Sequence, residues 1–269
     1  MAGIINLSDR KNPKLFQPKD KYGLLVIGKD FINGFAVNTP GFLRWSPHIS
    51  GNMHIYDWEL LMTGTIDCGK KSLLNKISNN DEENKSIENV LRSNFKRELE
   101  LYESGNNRNG KYKEAIKIWP GTTEVLCEFQ TAIDRISCLS NQDTLTTMII
   151  FSHGHNNSVD FGSSYLSYKK LLEDLDRIEG KKAIFAYACY SGSLIDTLKL
   201  HKKRRDYSII TSSESNKRSS NWDDQSLDNY LFEHFSLGGK YSNLKLEQLR
   251  NASDNQSPQM LSYFDVQLI

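Results

Sequence analysis

The feature that most constrains the fold is a series of short apolar runs separated by helical patterns. Four runs are predicted to be strands: Tyr22–Ile27, Leu145–Phe151, Ala183–Tyr187 and Tyr207–Thr211. Runs this short and this apolar are typical of strands that are buried on both faces, and strands that alternate with helices form parallel sheets. The sequence therefore predicts an α/β fold with a mostly parallel sheet and helices on both faces.

The helices are predicted from apolar side chains at helical spacing and from their end signals. One stripe runs from Phe129 to Leu139. In the next, Ser167 can cap the start of a helix that carries Leu171 and Leu175 and ends before Gly180. Two further helices are expected at about 193–203 and 226–237, and a short strand is expected at 123–127.

The whole chain of 269 residues is expected to form a single domain. Residues 1–20 are polar and are predicted to be a loose lead-in. Residues 79–113 are rich in charge and asparagine and are predicted to be an insertion, with an exposed helix at about 86–102 and a Gly/Asn loop at 105–110. The tail beyond Gly238 is polar except for its last ten residues.

Charge and composition exclude several kinds of partner. The formal net charge of +1 favours neither nucleic acid nor an anionic membrane surface, and the basic run at 202–205 is interpreted as a solvated helix end. No run of 18 apolar residues occurs, and the first 21 residues lack a signal-peptide pattern. Four scattered cysteines do not form a disulfide framework. A cytoplasmic location is therefore expected, where a thiol stays reduced.

Two strand ends carry residues of nucleophilic catalysis. The strand that ends at Phe151 is followed by Ser152-His153-Gly154, and the strand that ends at Tyr187 is followed by Ala188-Cys189. A right-handed crossover through one helix can place these strands side by side. A thiol has a pKa of about 8.5, so a neighbouring imidazole is needed to take its proton. The N–H groups of Gly154 and Cys189 are candidates for an oxyanion hole, with each donor contributing about 10²–10³-fold in rate.

Other assignments of the same residues are weaker. His155 is the competitor of His153, but the glycine that follows His153 favours the latter. His-x-His spacing lacks a third ligand, so no metal and no cofactor are expected. Ser191 is assigned to the turn. The remaining cysteines, Cys68, Cys127 and Cys138, are interpreted as structural because they lack a glycine turn at a strand end.

The paired motifs resemble the caspase-like cysteine peptidases, a group that includes caspases, legumains, gingipains and separase. Ser152-His153-Gly154 and Ala188-Cys189-Tyr190-Ser191-Gly192-Ser193 carry the resemblance, which covers about Leu145 to Leu237. The glycine three residues after the cysteine is closer to the legumain pattern than to the caspase pattern. The resemblance implies a three-layer caspase-like sandwich, with His153 as general base and acid, Cys189 as nucleophile, and the N–H groups of Gly154 and Cys189 as oxyanion donors.

The resemblance also implies where a substrate binds. Ile210 to Asn216 resembles the strand and loop that line the primary specificity pocket of legumains, so Ser212, Ser213 and Glu214 are substrate-binding candidates. Glu214 would favour a basic residue at the cleaved bond, whereas Arg44 or Arg218 would favour an acidic one. Tyr187 stands where legumains have an acidic residue, so asparagine specificity is not implied. Asn33 is a candidate for orienting the imidazole, although a turn residue is the simpler interpretation.

The leading prediction is a cysteine endopeptidase that cleaves a peptide or protein through a thioester acyl-enzyme. The alternative is a non-catalytic caspase-like module that binds a peptide or a regulatory partner, with residues 79–113 as its partner surface. A regulatory partner or activator is also compatible with the enzyme. An α/β-hydrolase is disfavoured, because that family needs a glycine two residues before its nucleophile, where this chain has Tyr187.

Overall fold

The computed structural model describes residues 15–28, 112–118, 125–161, 164–219, 221–252 and 257–268. The strands are β1 (Asp20–Ile27), β2 (Glu114–Ile118), β3 (Thr144–Phe151), β4 (Gly154–His155), β5 (Ser158–Phe161), β6 (Ser164–Ser167), β7 (Lys181–Tyr187), β8 (Tyr207–Thr211) and β9 (Gln259–Ser262). The helices are α1 (Val125–Leu139), α2 (Tyr168–Leu175), α3 (Gly192–Leu200), α4 (Asn221–Ser236) and α5 (Leu246–Ala252).

Six strands form the main sheet in the order β2-β1-β3-β7-β8-β9. All neighbouring pairs are parallel except β8 and β9, which are antiparallel. The short strands β4, β5 and β6 form a separate antiparallel sheet immediately after β3. The predicted α/β fold with a mostly parallel sheet is confirmed.

Helices cover both faces of the main sheet, because each central strand is apolar on both sides. On one face, Leu24, Met148 and Ile184 pack in a cluster with side chains of α1, α2 and α3. On the other face, Leu25 and Phe185 belong to a cluster with side chains of α4 and α5 and of the C-terminal segment. The arrangement is therefore a three-layer sandwich with two cores.

The four strands predicted from apolar runs, and the four helices predicted within the described residues, are present with small shifts of their ends. Ser167 caps α2 as predicted, since its hydroxyl accepts a hydrogen bond from the backbone N–H of Lys170. The strand predicted at 123–127 is wrong for residues 125–127, which form the first turn of α1. Val125 is buried one turn before Phe129, so this segment continues the apolar stripe of the helix.

Part of the predicted loose lead-in and the end of the predicted insertion belong to the folded body. Leu15 forms a bridge with Asp265, the N–H of Phe16 donates to the Asp265 carbonyl at 2.7 Å, and β1 already begins at Asp20. At the end of the predicted insertion, Tyr112 is buried and its hydroxyl lies 2.8 Å from that of Thr147. Residues 15–20 and 112 therefore belong to the folded body.

Other predictions concern residues outside the described ranges. They are Asn33, Arg44, Cys68, the helix at 86–102 and the loop at 105–110. Among the helices that are described, no segment has the length and apolar character to cross a membrane.

Candidate active site

The main sheet brings the His153 and Cys189 segments to the same edge. β3 and β7 are parallel neighbours in register, with Phe151 opposite Tyr187. The pairing continues one step further, because the N–H of Ser152 donates to the Tyr187 carbonyl at 3.1 Å. His153 and Cys189 each follow their strand by two residues, so the two segments leave the sheet side by side at its carboxyl edge.

Gly154 lies directly against the backbone of Cys189. A Cβ atom at position 154 would overlap the carbonyl oxygen of Cys189 and would lie 3.2 Å from the Ala188 Cβ. Only a glycine allows this approach. The segment that carries His153 and the turn that carries Cys189 are therefore in contact. Direct contact between the imidazole and the sulfur stays a prediction of the sequence.

The turn that holds Cys189 is tight and strained. Tyr190 has a φ of +58°, which is unusual for a residue with a side chain. Its N–H donates to the Lys217 carbonyl at 2.8 Å, and the N–H of Ser191 donates to the Ala188 carbonyl at 3.2 Å. The surrounding structure thus fixes a backbone conformation that projects Cys189 from the end of β7.

Buried hydroxyl groups after β8 hold this turn in place. Ser212 accepts a hydrogen bond from the Ala188 N–H at 3.2 Å. Ser213 accepts one from the Ser191 N–H at 3.1 Å and donates one to the Ala188 carbonyl at 3.0 Å. Both serines are at most 1% exposed. Their hydroxyls therefore face the interior and support the nucleophile turn, and a role of these two residues in substrate binding stays a prediction.

Gly192 is also required by close packing. A Cβ atom there would lie 2.5 Å from the Ser215 nitrogen and 2.7 Å from the Ser213 carbonyl oxygen. The loop after β8 thus packs against the start of α3. This contact explains in physical terms why a glycine stands three residues after the cysteine.

The thiol of Cys189 is partly exposed and faces the segment Lys217–Ser219. The thiol donates to the Ser219 carbonyl oxygen at 3.5 Å, and the Ser219 hydroxyl lies 3.8 Å from the sulfur. The Arg218 Nε donates to the Tyr190 hydroxyl at 3.1 Å. Sequence reasoning missed Ser219, which lies 30 residues after the cysteine in a polar loop and carries no motif.

His153 lies between β3 and β4, and its environment keeps the ring neutral. Its carbonyl accepts a hydrogen bond from the Asp160 N–H at 2.9 Å, which ties it to β5. Burial, and after it the positive charge of His155, lowers the pKa of His153 to about 4. A neutral imidazole can accept a proton from a thiol. His153 therefore has the protonation state that a general base needs near neutral pH.

Tyr168 is a second residue that sequence reasoning did not connect with the site. It is fully buried at the start of α2, and within the described residues its hydroxyl has no hydrogen-bond partner. Burial raises the pKa of Tyr168, and the negative charge of an ionised Cys189 raises it further. The phenol thus lies within electrostatic reach of the sulfur, although the sequence shows it only as part of a helical stripe.

Glu214 was predicted to set the substrate preference, but its carboxylate already has a cationic partner. Glu214 is 30% exposed, but its carboxylate is 3.3 Å from the Lys217 ammonium group. This ion pair competes with a basic substrate side chain. The preference for a basic residue at the cleaved bond stays a prediction, and Arg44 lies outside the described residues.

The other candidate residues do not form a second centre. His155 is exposed and packs edge-on against Tyr165, with ring centroids 4.6 Å apart. Cys127 and Cys138 are exposed on α1, so they are not core residues. Within the described ranges, no group of three or more His, Cys, Asp or Glu side chains is placed to hold a metal ion.

A partly exposed thiol beside a histidine segment, at the carboxyl edge of a mostly parallel sheet, is an arrangement typical of cysteine peptidases. Residues 132–259, which include both segments, match the model of the Peptidase C13 family. This match supports a cysteine peptidase. The chain is also similar in structure to caspase-1 from Spodoptera frugiperda, with a TM-score of 0.47, 11% identity, and coverage of 99% of this chain and 97% of that one. No curated protein matches the sequence.

Proposed function

We propose that this protein is a caspase-like cysteine endopeptidase, with the motif spacing of legumains, that cleaves peptide bonds through Cys189 and His153. The observation that carries the proposal is the contact between the two strand-end segments. β3 and β7 are in register, and Gly154 packs on the backbone of Cys189. This contact supports a common site for the base and the nucleophile.

The proposed reaction begins with proton transfer from the Cys189 thiol to the neutral imidazole of His153. The sulfur attacks the carbonyl carbon of the peptide, and a C–S bond forms while the carbonyl oxygen becomes negative. The C–N bond then breaks, and the imidazolium gives its proton to the departing amine. A water molecule, deprotonated by His153, hydrolyses the thioester and releases the acid product and the free thiol.

Two backbone N–H groups are suited to the negative oxygen. The amides of Ala188, Tyr190 and Ser191 all donate hydrogen bonds, whereas the Cys189 N–H has no acceptor within the described residues. In the hairpin of β4 and β5, the hydrogen bond from the Asp160 N–H to the His153 carbonyl makes Gly154 and Val159 a non-hydrogen-bonded pair. The alternation therefore directs the Gly154 N–H away from β5 and supports its role as the second donor.

The test is covalent labelling followed by intact-mass analysis. We expect peptidyl acyloxymethyl ketones to add one adduct, at Cys189, and we expect fluorogenic peptides to be cleaved. Cys189→Ala and His153→Ala should each abolish cleavage. Cys138→Ala, which removes an exposed thiol on α1, is the matched control and should keep both activities.

Cleavage that persists in Cys189→Ala or in His153→Ala would overturn the proposal. A folded protein that never labels but binds a peptide or protein partner would instead support the non-catalytic module. The peptidyl group of the reagent that labels fastest would also report the side chain preferred at the cleaved bond.

A further inference from the structure

A polar cleft opens beside the nucleophile turn and has no role in the chemistry described above. Its volume is about 640 Å³. It is lined by the hairpin residues His155, Asn156 and Asn157, by Tyr190, by Ser193 and Asp196 of α3, and by two residues of the loop after β8. We refer to it as the Tyr190 cleft. Tyr190 directly follows the proposed nucleophile and His155 lies two residues after the proposed base, so the cleft adjoins the site.

The wall of the Tyr190 cleft is held by a buried hydroxyl. Ser193 is 2% exposed, donates to the Tyr190 carbonyl at 2.6 Å and accepts from the Asn157 N–H at 3.3 Å. One side chain thus joins the hairpin that follows His153 to the turn that holds Cys189. The cleft is therefore formed before a substrate binds, and its position relative to the sulfur of Cys189 is fixed.

The charge of the lining indicates what the cleft can accept. Among the described residues that line the cleft, Asp196 is the only carboxylate, and none is a lysine or an arginine. The remaining lining groups are amides, hydroxyls and an imidazole, which form hydrogen bonds with polar groups. Asp196 pairs with Lys199 at 2.8 Å, but both side chains are substantially exposed, and such surface pairs are weak. A cationic side chain can therefore compete for Asp196, whereas an acidic one would be repelled.

The proton transfers of the proposed reaction indicate which side of the substrate lies in the Tyr190 cleft. In the proposed reaction the departing amine receives its proton from His153. The chain beyond the cleaved bond must therefore pass His153 and the hairpin that follows it. That hairpin lines the Tyr190 cleft.

We propose that the Tyr190 cleft is the subsite for the leaving-group side of the substrate and that Asp196 selects a lysine or arginine side chain there. This inference rests on the proposed peptidase function and adds a substrate class to it. It is separate from the preference predicted from Glu214, which concerns the residue that supplies the attacked carbonyl.

The test measures binding on the leaving-group side alone. An acyl-enzyme is formed from a peptidyl ester and is then partitioned between water and an added amino acid amide. The α-amino nitrogen of the amino acid amide attacks the thioester and loses a proton, a C–N bond forms, the C–S bond breaks and the thiol regains its proton. Arginine amide should capture the acyl group better than leucine amide, and glutamate amide should be the poorest acceptor.

Substitutions test whether Asp196 causes the preference for arginine amide. Asp196→Asn should reduce the advantage of arginine amide over leucine amide by about two- to fivefold, the range expected for an exposed ion pair. Lys199→Ala, which removes the competing cation, should increase it. Glu247→Gln removes an exposed carboxylate on α5 and serves as the matched control. An arginine preference that is unchanged in Asp196→Asn, or absent from the unsubstituted protein, would overturn the inference.

A labelling experiment separates this result from failure of the proposed function. Acyloxymethyl ketones carry recognition groups only on the acyl side, so Asp196→Asn should label at the same rate as the unsubstituted protein. Normal labelling without an arginine preference removes only the subsite. Absence of labelling in both proteins removes the peptidase itself.

Discussion

The low pKa of His153 determines the acid limit of the proposed reaction. Burial and the charge of His155 lower this pKa to about 4, so the ring is neutral above that pH and charged below it. We expect kcat/KM for a neutral peptide to fall on the acid side with a midpoint near pH 4 rather than near the ordinary histidine value of about 6.5. A pH profile of kcat/KM measures this midpoint directly.

His155 provides the internal control for that profile. Its positive charge disfavours a second positive charge on His153. In His155→Ala the acid midpoint should therefore move to higher pH. A midpoint near pH 6.5 in the unsubstituted protein, or a shift to lower pH in the variant, would contradict the assignment of His153 as a partly buried base.

Ser213 is expected to act on catalysis through the backbone of the nucleophile turn. Its hydroxyl bonds the Ser191 N–H and the Ala188 carbonyl, which flank Cys189. Ser213→Ala removes both hydrogen bonds, at a cost of about 0.5–1.5 kcal/mol each, while the Ser191 N–H and the Ala188 carbonyl keep their bond to each other. We expect kcat to fall by about tenfold with little change in KM, because the variant displaces the Cys189 N–H rather than a substrate contact.

Two measurements distinguish this positioning role from a loss of stability. Iodoacetamide needs no oxyanion donor, so its reaction with Cys189 should slow less in Ser213→Ala than peptide cleavage does. Ser208→Ala removes a buried hydroxyl of β8 that bonds Ser262 at 2.6 Å, far along the strand from the turn. It should reduce stability without reducing kcat. Equal losses of kcat in both variants would remove the positioning role.

At the residue scale, the sequence identifies candidate reactive residues but not the residues that hold them in place. The sequence predicts Cys189 and His153 as the reactive pair because each follows an apolar strand, with a glycine directly after His153 and another three residues after Cys189. Ser212 and Ser213 were assigned to substrate, since a serine in a loop looks the same whether its hydroxyl faces the solvent or a neighbouring turn. Their burial depends on how the loop after β8 packs, which is a tertiary contact with no local signal.

Among the secondary-structure elements, β4 packs directly on the backbone of Cys189 through Gly154. Gly154→Ala would place a methyl group on the carbonyl oxygen of Cys189, so β4 or the turn must move. Because displacements of about 1 Å cost roughly 10²-fold in rate, we expect activity to fall by at least that factor. Peptide cleavage and labelling of Cys189 measure the loss.

Gly180→Ala is the matched control for a glycine substitution elsewhere. Gly180 has a φ of +83° and precedes β7 at the end of the strand opposite to Cys189. An alanine there is strained and should reduce the melting temperature while leaving kcat nearly unchanged. The proposed contact of β4 would be contradicted if Gly154→Ala kept full activity.

Elements were predicted well where the apolar pattern is long. The central strands and the helices α1 to α4 have this pattern. The strands β4, β5 and β6 contain two to four residues, several of them polar, and β9 contains four. Such short strands exist because neighbouring backbone groups pair with them, and this pairing is absent from a local sequence pattern.

At the scale of the whole molecule, the main sheet positions the candidate site because both faces of the sheet are buried. Phe151 and Tyr187, the last residues of β3 and β7, stack with ring centroids 4.7 Å apart. This stack lies within the core on the face of α4 and α5. It locks the register of the two strands whose ends carry His153 and Cys189. The register is therefore determined by the global packing of the sandwich rather than by residues of the site.

Lys182 is an unfavourable group within this packing, and its removal should stabilise the fold. The side chain is 2% exposed at the start of β7, and burial lowers its pKa to about 8. Its ammonium group donates to the Gly180 carbonyl at 3.1 Å and lies over the Tyr207 ring. Lys182→Met keeps the length of the side chain without the charge. We expect the free energy of unfolding at pH 7 to rise by about 1–3 kcal/mol.

The pH dependence of this gain follows from proton linkage. Between pH 8 and about 10.5 the unfolded chain holds the Lys182 proton more tightly than the folded chain does, so the stability of the unsubstituted protein rises with pH in this window. The advantage of Lys182→Met should be full below pH 8 and should shrink towards pH 10.5. Urea unfolding at pH 7 and pH 10 measures this advantage.

Lys181→Met is the control. It removes a partly exposed partner of Asp206, 2.7 Å away, and should be neutral or slightly destabilising. A Lys182→Met protein that is less stable than the unsubstituted one at pH 7 would show that the contacts of the ammonium group outweigh the cost of its burial.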